Sequence, residues 1–220
     1  GTPSDLWSYV YEFDVNAQTF IATPATDFSM NYERGGLNGT CTTSDEWNPW
    51  KDNPVAADFD VCGCWVLPQP MLTDVVFDDD GSMILGFSDR LGHQHAPGGL
   101  ESYANGSPLG CLRIGGDIVR ICNVGNLVSP VYSQEVNGKC GTNGCGTAGN
   151  NGGETPPIAE YYCGDFFSPY HWETALGGLA LLPGSGELVS GVLDPFTVFS
   201  NGSYKLSNTT GQKTSAYEII

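Results

Sequence analysis

The sequence predicts an all-β chain built from repeated four-stranded antiparallel sheets, and three observations lead there. One pattern is written twice, in residues 71–90 (MLTDVVFDDDGSMILGFSDR) and 175–195 (ALGGLALLPGSGELVSGVLDP). Thirty glycines and fourteen prolines interrupt the chain every few residues. No window carries apolar positions at the 3.6-residue spacing of a helix of ordinary length.

Each copy opens as a β-hairpin: an apolar run, a polar glycine turn and a second apolar run. Leu72 falls on Leu176, Val75 on Leu179 and Phe77 on Leu181. After one extra residue in the second copy, Met83 falls on Leu188, Gly86 on Gly191, Phe87 on Val192 and Asp89 on Asp194. The copies continue in GGDIVRICNV and NGSYKLSN, where Val119 matches Tyr204, Arg120 Lys205, Ile121 Leu206, Cys122 Ser207 and Asn123 Asn208. A further strand follows in each, giving four per copy. The first strands, TDVVF and GGLALL, are nearly all apolar or glycine and the outer ones alternate. That gradient predicts a first strand buried on both faces and a last strand meeting water.

Four-stranded antiparallel sheets repeated along a chain are the sequence form of a β-propeller, whose blades bury their faces against one another. The reading divides one domain over 1–220 into a half blade (1–30), a Trp- and Cys-bearing loop (31–70), a blade (71–135), a Cys- and Gly-rich insertion (136–172) and a blade (173–220). The half blade is LWSYVYEFDVNAQTFIATPATDF, residues 6–28. It reads as strands three and four, with Tyr11, Glu12 and Phe13 in the places of Val119, Arg120 and Ile121. The given sequence is expected to start in mid-blade, with any export leader removed or outside it.

Composition narrows the partners. The net charge is −17, from 25 acidic and 8 basic residues, which repels a phosphate backbone and an anionic membrane surface. No apolar run reaches the roughly 18 residues that a spanning helix needs. Eight cysteines, Cys41, Cys62, Cys64, Cys111, Cys122, Cys140, Cys145 and Cys163, lack the paired CxxC of a zinc ribbon and read as disulfides of an extracellular protein. Cys62 and Cys64 stand too close to bridge each other, so distant partners such as Cys41 or Cys111 are expected. Cys122 with Cys140 and Cys145 with Cys163 would close the two remaining loops, out of about 100 possible connectivities. Sequons at Asn38, Asn105, Asn201 and Asn208 are candidates for glycosylation, with Asn38 and Asn105 foremost. Three of the four are also the Asn-Gly of ordinary turns.

Candidate chemistry is sparse. FDDDGS, residues 77–82, resembles a calcium loop but has Val76 where the spacing demands a first carboxylate, so calcium at Asp78 and Asp80 competes with a plain polar turn. His93 and His95, with His171 or Glu101, are the only histidine-based metal reading. Ser185 lacks the GxSxG frame of a hydrolase nucleophile. Asp89 and Asp194 recur at equivalent positions, which suits loop capping better than a unique acid pair. Trp47, Trp50 and Trp65 either stack on a sugar or pack beneath a disulfide-tied loop.

YVYEFD, NYERG, WNPW, PQPMLTDVVFDDDGSMILGFSDRLGHQ, GGDIVRICNV and ETALGGLALLPGSGELV with LSNTTG resemble the C-terminal half of a propeller-like domain in uncharacterised secreted bacterial surface proteins. In that family the domain is often followed by adhesin-type prealbumin-like repeats. The resemblance covers residues 6 to 215; the insertion around Cys145 and Cys163 departs from it. It implies an extracellular structural or adhesive role, no enzymatic activity and no cofactor. The expected partners are copies of the chain, completing filaments or surface assemblies, or the remaining blades of a larger polypeptide. A lectin-like sugar binder and a metal-dependent propeller hydrolase are the alternatives, with neither nucleic acid nor membrane insertion as a partner.

Overall fold

A computed structural model describes residues 3–32, 34–35, 46–50, 64–65, 67–94, 111–112, 114–147, 159–167, 173–198 and 200–219, with backbone only at 64–65, 94 and 111–112. In chain order, β1 (Trp7–Val10), β2 (Phe13–Asp14), β3 (Thr19–Phe20) and β4 (Thr26–Ser29) come first, followed by β5 (Cys64–Trp65). Next are β6 (Pro70–Phe77), β7 (Met83–Asp89), the short helix α1 (Arg90–Gln94), β8 (Cys111–Leu112), β9 (Asp117–Asn123) and β10 (Tyr132–Gln134). The chain closes with β11 (Ala175–Leu181), β12 (Glu187–Leu193), β13 (Asn201–Ser207) and β14 (Lys213–Ile219).

Both repeat copies are four-stranded antiparallel sheets, β6-β7-β9-β10 (sheet I) and β11-β12-β13-β14 (sheet II). Their registers agree residue by residue. Met83 faces Ile121 as Leu188 faces Leu206, and Leu85 faces Val119 as Ser190 faces Tyr204. The first hairpins agree too: Phe77 pairs with Met83 as Leu181 pairs with Leu188, and both first strands break register near their start, between Leu72 and Asp74 and between Ala175 and Leu179. The fourth strands differ. β14 pairs along its whole length, whereas β10 pairs over three residues before the chain turns toward Cys140.

The layers stack hairpin, sheet I, sheet II. On one face of sheet I, Met83, Leu85, Phe87, Val119 and Ile121 pack against Phe28, Met30 and Trp47; on the other, Ile84 and Ile118 meet Ala175, Leu188, Val192, Tyr204 and Leu206 of sheet II. Burial on both faces explains why β7 and β9 are almost wholly buried. Here the burial gradient departs from expectation. β6 is only partly buried and β11 alternates, because these first strands lie at sheet edges and the middle strands carry the core.

Between the sheets β7 and β11 approach closely. A Cβ on Gly86 would stand 2.1 Å from the Gly177 carbonyl oxygen, and Gly177 itself has φ of 83°. Asp74 Oδ2 accepts from Leu179 N at 2.9 Å and Asp79 Oδ2 from Gly184 N at 2.8 Å, pinning hairpin to hairpin.

The N-terminal half blade is a bent hairpin: β1 pairs with β4 and β2 with β3. Among the described residues it gains no third strand and the sheets close no ring. The fold is therefore all-β, with stacked antiparallel sheets. Backbone register also sets β5 parallel to β8, Cys64 opposite Cys111. The disulfides Cys122–Cys140 and Cys145–Cys163 are formed, as expected. Cys41, Cys62 and the side chains of Cys64 and Cys111 lie outside the described residues. Among the described residues no helix is long and apolar enough to cross a membrane.

Candidate functional site

The FDDDGS turn holds a cation that the chain itself supplies. Arg120, buried in β9, donates from Nη2 to Asp78 Oδ2 at 2.7 Å and to Asp80 Oδ2 at 2.8 Å, and from Nη1 to Tyr162 OH at 3.2 Å. Asn208 Nδ2, from sheet II, donates to the other Asp78 oxygen at 2.9 Å. The two carboxylates proposed for calcium are thus compensated by a guanidinium. Asn208 is only 6% exposed and locked by this bond and by Tyr162 OH, which donates to its Oδ1 at 3.0 Å, so this sequon offers no acceptor on the folded chain. Asn201 is exposed; Asn38 and Asn105 lie outside the described residues.

The remaining sequence candidates separate. Trp47 is fully buried, with Arg34 over its ring at 4.2 Å and its Nε1 donating to Tyr32 OH at 3.1 Å; it is a core residue and cannot stack on a sugar. Trp50 stays exposed, Arg90 lies 4.8 Å from its ring, and its Nε1 donates to the Pro70 carbonyl. The Trp65 side chain, His95, His171 and Glu101 are outside the described residues. His93 sits exposed on α1 within hydrogen-bond reach of Ser88 Oγ. Asp89 and Asp194 cap loops, accepting from Gln69 N and Ser200 N. Burial raises the Asp89 carboxyl to about 6.

Two features were missed in the sequence. The first is an aromatic face on the hairpin. Ser8, Thr26 and Phe28 turn inward, so alternation sends Trp7 and Tyr9 outward. Trp7, Tyr9, Tyr11 and Phe13 are 45–50% exposed. Trp7 stacks on Tyr9 and Tyr9 on Tyr11 at centroid distances of 6.5 and 6.2 Å; Phe13 meets Phe20 edge-on at 5.1 Å. The period-2 aromatics of WSYVYEF were the available signal.

The second is a buried group of carboxylates where the insertion meets sheet II. Ligand oxygens of Glu160, Asp165 and Glu173 lie within 4.8 Å of one another. The Cys145–Cys163 disulfide and a bridge between Gly146 and Glu160 fix the insertion, and the Asp165 carbonyl accepts from Thr174 N at 2.9 Å. Burial and the Asp117 charge push Asp165 up to about 8; burial, then Glu160 and Asp165, hold Glu173 well above the carboxylate range. A cavity of about 380 Å³ alongside is lined by Arg34, Asp117, Glu135 and Glu160. Burial raises Glu135 to about 8. No motif spacing marks Glu160, Asp165 and Glu173, which fall on either side of Cys163.

No protein-family model matches the chain, and no solved structure matches it. The chain is similar to Colossin-B of Dictyostelium discoideum, 30% identical over 190 residues that cover 79% of this chain. The chain spans about 4% of the length of that relative.

Proposed function

We propose that this protein is an extracellular structural module, propeller-like in its stacking, whose hairpin face is covered by a further antiparallel sheet in a surface assembly or filament. The observation that carries this reading is the outward row Trp7, Tyr9, Tyr11, Phe13 with Phe20. Half-exposed rings of this size leave on the order of 500 Å² of contiguous apolar surface, as large as the largest patch of an ordinary monomer. The opposite end is more mixed. The outward face of sheet II carries Lys205 and Ser215 together with Tyr217 and Ile219, which are 52% and 75% exposed, and no ring stacking links them into a row among the described residues.

The row begins on β1 with Trp7 and Tyr9 and runs on through Tyr11 to Phe13 of β2 and Phe20 of β3, where the next sheet of a stack would sit, and β1 has an open edge among the described residues. A sheet with an apolar face, from a second copy or from neighbouring blades, has the matching chemistry. Two disulfides suit an oxidising setting outside the cell. The role is one of assembly rather than catalysis.

Light scattering on the non-reduced chain tests this. At about 10 μM and above the protein is expected to associate, and Tyr9→Asp, which sets a charge in the middle of the row, is expected to stay monomeric and to melt like the wild type only in dilute solution, where neither associates. A monomeric wild-type protein across this range would sink the reading.

A sugar-binding reading rests on one observation, a cleft of about 270 Å³ between Trp7, Tyr9 and Trp50. Ser8 supplies the one side-chain hydroxyl besides Tyr9 in its lining, and a sugar needs several directed polar partners. Glycan-array binding lost in Trp50→Ala would favour it.

A further inference from the structure

We propose that Glu160, Asp165 and Glu173 form a calcium site that clasps the disulfide-tied insertion to sheet II. The inference does not rest on the assembly role above.

Clustering alone would not justify it; the state of the oxygens does. Asp165 is 2% and Glu173 1% exposed, and among the described residues Asp165 Oδ1 and both oxygens of Glu173 meet no hydrogen-bond donor. Buried carboxylates without donors are strongly unfavourable unless a cation compensates them. Among the described residues neither nearby cation donates to these oxygens: Arg34 Nη2 donates to the carbonyls of Gly115 and Gly116, and Lys213 Nζ to the Phe166 carbonyl, so the Arg34 charge lowers the Asp165 and Glu173 carboxyls only through space and burial outweighs it.

The donor set selects the metal class. Three carboxylates are hard oxygen ligands, which suit calcium or magnesium rather than zinc. Calcium binds six to eight oxygens at 2.3–2.6 Å, so two ligands on one ion stand up to about 5 Å apart, a span that accommodates the 4.8 Å spread here. Magnesium, at about 2.1 Å and strictly octahedral, would require the group to contract. The three ligands come from separate points of the chain: Glu160 bridged to Gly146, Asp165 two residues past Cys163, and Glu173 just ahead of β11. An ion here ties those segments together and offsets the buried charge.

Isothermal titration of calcium chloride into the whole, disulfide-intact chain, stripped with chelator, tests the site. Wild-type protein is expected to bind one ion, and Glu173→Gln and Asp165→Asn are each expected to weaken binding at least tenfold. Both variants keep side-chain shape and match the neutral, protonated carboxyl of the metal-free protein, so both are expected to fold without calcium, as circular dichroism would show. Glu218→Gln, at an exposed acid on β14, is expected to bind like wild type. Absence of binding at millimolar calcium would overturn the proposal, because the carboxyls would then be sharing protons instead. Unchanged affinity in both site variants would also overturn it by moving calcium to the acidic surface, and equal affinity for magnesium would overturn the choice of metal.

Discussion

Arg120 shows how one side chain can settle the role of its neighbours. It is 1% exposed and joins the Asp78 and Asp80 turn to Tyr162 of the insertion, while its guanidinium lies 4.9 Å from the Tyr161 ring. Arg120→Ala leaves Asp78, itself nearly buried, without its cation, and is expected to cost about 3 kcal/mol in urea unfolding of the disulfide-intact chain. A loss under about 1 kcal/mol would show that the turn does not depend on this ion pair. The residue equivalences were legible, Arg120 with Lys205 and Asn123 with Asn208, but burial was not. Lys205 lies on the water-facing side of sheet II and makes an exposed pair with Glu187, whereas Arg120 is covered by the insertion. A repeat transmits backbone position; what lies above each position depends on the next layer.

At the scale of elements the two copies and their four strands each were legible, because period-2 alternation and glycine turns are local signals, whereas the register breaks in β6 and β11 were not read. The most buried strand was misplaced, since stacking on both faces of sheet I buries β7 and β9 and no local pattern reports it. The carboxylate group was missed for the same reason: Glu160, Asp165 and Glu173 meet only through the Cys145–Cys163 bond and the seating of the insertion on sheet II. That seating depends on how near the sheets come. Gly86→Ala would drive a methyl carbon to 2.1 Å from the Gly177 backbone oxygen, in the middle of a layer with no slack. The expected loss is about 3 kcal/mol in denaturant, with Gly178→Ala, where a Cβ meets nothing, as the near-neutral comparison. Equal stability of the two variants would mean that the layers can separate freely.

The whole molecule carries −17 and hides several acids, and both facts give its stability one pH dependence. Asp89 at about 6 and Glu135 and Asp165 at about 8 hold protons that the unfolded chain releases near pH 4. The folded state therefore binds more protons between about pH 4 and 8, and stability falls as pH rises through that window. Chelator-treated protein is expected to melt several degrees higher at pH 5 than at pH 8; a flat profile would contradict the burial of these groups. Asp80 and Glu187 are shifted downward, and their contribution is lost only at more acid pH. Covering of the aromatic hairpin face is tested most directly by hydrogen exchange at the Trp7–Val10 amides, compared between dilute and concentrated protein. Protection that grows with concentration in β1, while the β7 and β9 amides stay equally protected throughout, is the predicted result. Exchange in β1 that is fast and identical at every concentration would show that no sheet covers this face.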